Sequence, residues 1–115
     1  MNRVRALLGG MLVAVSLSLA ACKGGVIPIK TLLDDPSQYE SKTVRVAGDV
    51  EEAAGVLGYG IYRVNDGTGT ITVLTQAGGV PRTGAKVGVE GQFKSAFTLG
   101  TETLAVIMEK QRSAP

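Results

Sequence analysis

The chain has 115 residues, with twelve Lys or Arg against ten Asp or Glu, no His and one Cys. That length accommodates one small domain, and a lone Cys leaves no internal disulfide to staple it. Without His or a Cys cluster, the common zinc-ligand sets and histidine acid–base catalysis are excluded, and neither metal nor cofactor is expected.

Met1-Asn2-Arg3-Val4-Arg5 places two positive charges ahead of an apolar run from Ala6 to Leu19, the pattern of a cleaved secretory signal peptide. Such a run suits a signal core of about 7–15 residues and falls short of the ~20 needed to span a bilayer. Leu19-Ala20-Ala21-Cys22 resembles the lipobox of bacterial lipoproteins, which implies cleavage before Cys22 and lipidation of that residue. One acyl chain binds a membrane marginally, at ~0.8 kcal/mol per buried CH2, whereas two or more make a lasting anchor. Residues 1–21 are therefore read as signal peptide, 22–28 as a lipidated tether and 29–112 as the folded domain. Lys23 stands where an aspartate would resemble the inner-membrane retention signal, so an outer-membrane anchor facing the periplasm is expected. In a Gram-positive host the same features describe an outward-facing cell-membrane lipoprotein. Losing Arg3 and Arg5 leaves ten basic residues against ten acidic ones. That balance lacks the clustered positive charge typical of nucleic-acid binders.

Ile29 to Leu33 gives a brief helical signal that stops at Asp34-Asp35-Pro36. Asp35 is suited to cap a second turn with Pro36 in its first position, and Leu32, Leu33 and Tyr39 are expected to cover one end of a core. Thr43 to Val50 alternates, with Val44, Val46 and Val50 on one face, as in a half-buried strand. Gly48 within it suggests a bend or bulge. A second strand is read at Tyr59 to Val64 and a third at Thr70 to Thr75, joined through Asn65-Asp66-Gly67-Thr68-Gly69, a hairpin turn by its chemistry. Residues 78–84 read as a Gly-rich loop. A fourth strand follows around Val87, Val89 and Gly91, and a fifth runs from Thr103 to Glu109 with Leu104, Val106 and Met108 on one face. Five short strands with such glycines indicate an all-β barrel.

The stretches Lys42 to Val50, Tyr62 to Val73 and Gly84 to Gly91, in that order and spacing, resemble the OB-fold in the version found in anticodon-binding-type nucleic-acid domains. The preceding Leu32-Leu33-Asp34-Asp35-Pro36-Ser37-Gln38-Tyr39 resembles the lead-in of small exported bacterial OB-fold proteins. The resemblance implies a five-stranded Greek-key barrel behind a short N-terminal helix. It departs from the family pattern between strands three and four, where a helix is often found and this chain has its Gly-rich loop. OB-folds take ligands on the face of strands two and three, between the loops joining strands one to two and four to five. Those loops are expected at Glu51 to Gly58 and Lys94 to Gly100. Tyr59, Arg63, Lys94 and Phe97 are the ligand-site candidates this implies, while Tyr62 and Phe93 are expected to fill the barrel. Aromatic stacking is worth roughly 1–3 kcal/mol per base, so these residue types suit a nucleic-acid or sugar ligand as well as a protein.

Catalytic signals are missing. There is no Gly-x-Ser-x-Gly elbow, the Asp66 to Gly69 segment is explained by its turn, and the glycines at 55, 58 and 60 are not followed by a helix as a dinucleotide site requires. The sequence thus points to a non-catalytic envelope module, lipid-anchored and partnered by an envelope protein. The alternative is an OB domain for oligosaccharide or single-stranded nucleic acid.

Overall fold

The computed structural model describes residues 25–56, 58–76 and 79–115. The expected signal peptide and Cys22 lie outside the described residues. Two short helices lead in, α1 (Ile29–Asp34) and α2 (Pro36–Tyr39), followed by strands β1 (Thr43–Val56), β2 (Tyr59–Asn65), β3 (Thr70–Thr75), β4 (Lys86–Leu99) and β5 (Glu102–Ser113).

The strands close into a ring in the order β1-β2-β3-β5-β4. Every contact between neighbours is antiparallel except β3 with β5, which run parallel through Thr72↔Val106, Val73↔Ile107 and Leu74↔Met108. This parallel seam is where the barrel closes, and it does so although the segment before β4 is a loop. The expected all-β barrel is therefore the observed one.

Side chains alternate across a strand, so register decides what enters the core. Tyr62 pairs with Val73, Val73 with Ile107 and Ile107 with Phe93, a row crossing four strands. All four residues are fully buried. Val44, Val46, Val50, Val87 and Val89 join them in the interior, as the alternation in the sequence indicated, together with Val64 and Ile71.

Several local expectations are corrected. Of the lead-in residues, Ile29 and Leu32 are buried and Tyr39 packs against the core, but Leu33 stays exposed on the outer side of α1. Asp35 precedes Pro36 as expected, yet its side chain makes no capping bond. Gly48 marks a close approach, not a bulge: a Cβ there would lie 2.4 Å from the Asn65 carbonyl oxygen. The register shift falls two residues later, between Val50 and Glu52. Finally, β1, β4 and β5 are much longer than their alternating segments. Glu51–Val56 and Lys94–Leu99, expected as loops, are strand, because each pairs across its hairpin with β2 or β5. Tertiary pairing overrides weak local preference there.

The ends of the barrel are closed differently. Around the β2–β3 turn, Gly67 takes a left-handed φ of 89°, and the Asp66 carboxylate accepts bonds from the Thr68 and Gly69 amides at 2.8 and 3.1 Å. Its other oxygen accepts from the Ile29 amide at 2.9 Å, fastening α1 over this end. Burial alone would raise the Asp66 pKa, but these bonds and that from the Thr68 hydroxyl outweigh it and lower the value.

At the far end of β3 lies a polar plug. Glu109 accepts from the buried Tyr62 hydroxyl, from Thr75 Oγ1 at 2.8 Å and from Arg112 at 3.1 Å. Arg112 stacks over the Tyr62 ring, 5.4 Å from its centre, and donates to the Gly79 carbonyl at 3.2 Å. Burial, then the acceptor carboxylate, pushes the Tyr62 phenol well above its ordinary pKa, so it remains a donor. With Val80 packed on the core, this plug occupies the end where the family pattern often has a helix.

Candidate functional site

The row next to the core row faces outward. Ile61 pairs with Leu74, Leu74 with Met108 and Met108 with Gln92, so alternation places an apolar strip across β2, β3 and β5 on the barrel's outer wall. Leu74 is nevertheless 5% exposed, and Val106, two residues along β5 from Met108 in the adjoining outward row, is fully buried.

The β4–β5 hairpin borders this strip beside Leu74. Lys94 pairs with Val106 but Phe97 with Leu104, three steps on one strand against two on the other. Such a bulge bends the ribbon and increases its twist. Phe97, Thr98, Leu99 and Gly100 consequently line a groove together with Tyr59, Ile61, Leu74, Gln76 and Met108. The groove has a volume of about 390 Å3, and none of these nine residues is charged. Tyr59 stands 53% exposed at its rim. A second hollow, sharing Leu74, Gln76 and Met108, continues it toward Gln92 and Lys110.

Of the residues singled out by sequence, Tyr59 and Phe97 meet in this groove. Arg63 and Lys94 do not line it. Both belong to the adjoining outward row, Arg63↔Thr72↔Val106↔Lys94, at its opposite ends. Arg63 pairs with Glu52 at 3.3 Å, and the Lys94 ammonium turns away to the Ser41 hydroxyl at 3.2 Å. Ile61, Leu74 and Met108 escaped the sequence reading as site residues. Their signal was present: β3 carries apolar residues on both faces, Ile71 and Val73 inward and Leu74 outward, which a strand facing water on one side has no reason to do.

No metal site is formed among the described residues: no three His, Cys, Asp or Glu side chains converge. The chemistry the groove offers is burial of apolar surface, with amide and hydroxyl groups of Gln76 and Thr98 at its margin.

No protein-family model matches the sequence, and no curated protein matches it. Solved structures do match. An Entamoeba histolytica aspartyl-tRNA synthetase superposes with a TM-score of 0.61 at 14% identity, over 76% of this chain and 20% of its own. The fold is the OB-fold. Pyrococcus horikoshii asparaginyl-tRNA synthetase, in complex with asparaginyl-adenylate, gives a TM-score of 0.56 at 19% identity, over 67% of this chain and 20% of its own. The OBody AM3L09, solved bound to hen egg-white lysozyme, gives 0.53 at 18% identity, over 65% of this chain and 82% of its own. The OB-fold chain thus spans about a fifth of the length of the synthetases it matches. The groove runs along strands two and three and beside the turn between strands four and five of that fold.

Proposed function

We propose that this chain is a non-catalytic binding module, held at the outer membrane by lipid on Cys22 and facing the periplasm, that engages an envelope protein through the groove between Tyr59 and Phe97. The observation that carries it is the groove's make-up: six aliphatic and aromatic side chains, no charge, on the face where OB-folds take ligands. Apolar pockets of this kind seat anchoring side chains of a protein partner. The OBody bound to lysozyme is an instance of a similar barrel holding a protein. The anchor reading rests on Leu19-Ala20-Ala21-Cys22 and the apolar run before it.

A second reading, an OB domain for single-stranded nucleic acid or oligosaccharide, is favoured by a different observation. The likeness to two tRNA synthetases supports it more directly than it supports a protein partner, and Tyr59 and Phe97 are suited to stacking. Against it stand the balanced charge and the engagement of Arg63 with Glu52, since phosphate contacts by Lys and Arg supply most of the affinity in such complexes.

Site-specific photo-cross-linking in intact cells separates the two, with the probe at Tyr59 in one strain and Phe97 in another. A discrete protein adduct from both positions is expected. Adducts sensitive to nuclease, with binding that weakens steeply as salt rises, would establish the second reading, and no adduct at either position would overturn both.

A further inference from the structure

An exposed apolar groove on a membrane-anchored protein has two possible occupants, the bilayer itself and a partner in the aqueous phase. Where the chain enters the barrel distinguishes them. The Ile27 amide donates to the Arg45 carbonyl of β1 at 2.8 Å. Val26 shares a shallow hollow with Arg45 of β1, Gly88 and Glu90 of β4 and the terminal Pro115. The chain therefore joins the domain on the β1–β4 wall. The groove is built from β2, β3, β5 and the end of β4 from Phe97 on, beyond the stretch of β4 that pairs with β1, and the ring order β1-β2-β3-β5-β4 sets β3 across the barrel from that wall, with β2 and β5 flanking it.

Distances make this decisive. Five strands about 4.8 Å apart and tilted by about 40° form a backbone ring roughly 30 Å round, about 10 Å across. Side chains standing about 5 Å out on each side bring the barrel to about 20 Å. Cys22 precedes Val26 by four residues, and four residues reach at most ~14 Å when fully extended. The tether is too short to pass round the barrel.

Resting on the lipid-anchor reading above, we infer that the β1–β4 wall faces the bilayer and the groove opens on the far side. Its partner is then a protein segment presented about 20 Å or more out from the lipid surface, and not lipid or a membrane-embedded helix. The tether length fixes this. The exposed Tyr59 ring is consequently not an interfacial membrane anchor.

The test uses the full lipoprotein, purified from membranes and reconstituted in phosphatidylethanolamine–phosphatidylglycerol vesicles carrying a headgroup nitroxide lipid. With Cys22 acylated, an introduced cysteine is the one free thiol, so Thr98→Cys at the groove margin and Ala114→Cys beside the tether are each labelled with a fluorophore. Both positions are exposed, so neither change threatens folding. The label at position 114 is expected to lose more than half its fluorescence to the nitroxide, and that at 98 to keep nearly all of it. Equal quenching, or stronger quenching at 98, would overturn the orientation. Mass spectrometry of the same samples reads the acyl chains on Cys22; their absence would overturn the anchor and the orientation with it.

Discussion

Glu109→Ala probes the polar plug at the end of the barrel. Glu109 is 9% exposed and Arg112 23%, so the carboxylate is held out of water while its cationic partner retains some hydration. Removing the carboxylate strips the acceptor from the Tyr62 hydroxyl, on a residue with no exposed surface. An unsatisfied buried donor of that kind costs about 1–3 kcal/mol. Arg112 loses its ion pair but keeps the Gly79 carbonyl and the Tyr62 ring, so its share lies below the 3–5 kcal/mol measured when fully buried pairs are broken. The sum is about 3 kcal/mol, a large part of the 5–15 kcal/mol that holds a small domain together. In urea unfolding, with a slope of ~1.5 kcal/mol/M for a domain this size, the midpoint falls by about 2 M and the slope stays constant. Tyr62→Phe, which leaves Glu109 with Thr75 and Arg112, costs only about 1 kcal/mol. The double variant is then less destabilised than the two singles together. A Glu109→Ala loss below about 1 kcal/mol, or strict additivity, would refute the plug as a coupled unit.

Other consequences can be checked directly. Gly48→Ala forces a Cβ to 2.4 Å from the Asn65 oxygen and 2.7 Å from its carbonyl carbon; since backbone must move, a loss of about 3 kcal/mol is expected by thermal unfolding. Asp66 has a lowered folded-state pKa, so its contribution is present above its unfolded value near 3.8 and is lost as pH falls through the lower folded value. Asp66→Asn is accordingly less stable at neutral pH, with a flatter loss of stability below about pH 4 than the parent, as acid titration followed by circular dichroism reads. Tyr59→Ala removes a side chain that is half exposed, so stability shifts by no more than ~0.5 kcal/mol. The same change is expected to abolish the adduct formed from a probe at Phe97.

The barrel was legible in the sequence because its core obeys the simplest rule. Val44, Val46 and Val50 stand opposite Arg45 and Asp49 on the strand, and the Asp66 to Gly69 turn states its own geometry. The outlying halves of β1 and β4 were not legible. Glu51-Glu52-Ala53-Ala54-Gly55 has little strand preference, and only its partners across the hairpin make it strand. For the site, Tyr59 and Phe97 were identifiable as aromatics in the right region. Arg63 and Lys94 were read the same way, but their engagement with Glu52 and Ser41 depends on residues eleven and fifty-three positions away. Leu74 and Met108 become neighbours only through the parallel β3–β5 seam, a pairing that no local pattern specifies.

The most direct test of the groove as the binding face is hydrogen exchange on the lipoprotein in isolated native membranes, compared with the protein purified in detergent. Residues 96–104 form a hairpin whose two strands pair with each other and, among the described residues, with no further strand, so the amides on its outer edges exchange readily unless covered. The account predicts slowed exchange in native membranes at 96–104 and at 59–61, with 43–49 and 86–90 unchanged by a partner. Slowing confined to the β1–β4 wall, or none at the groove, would contradict it.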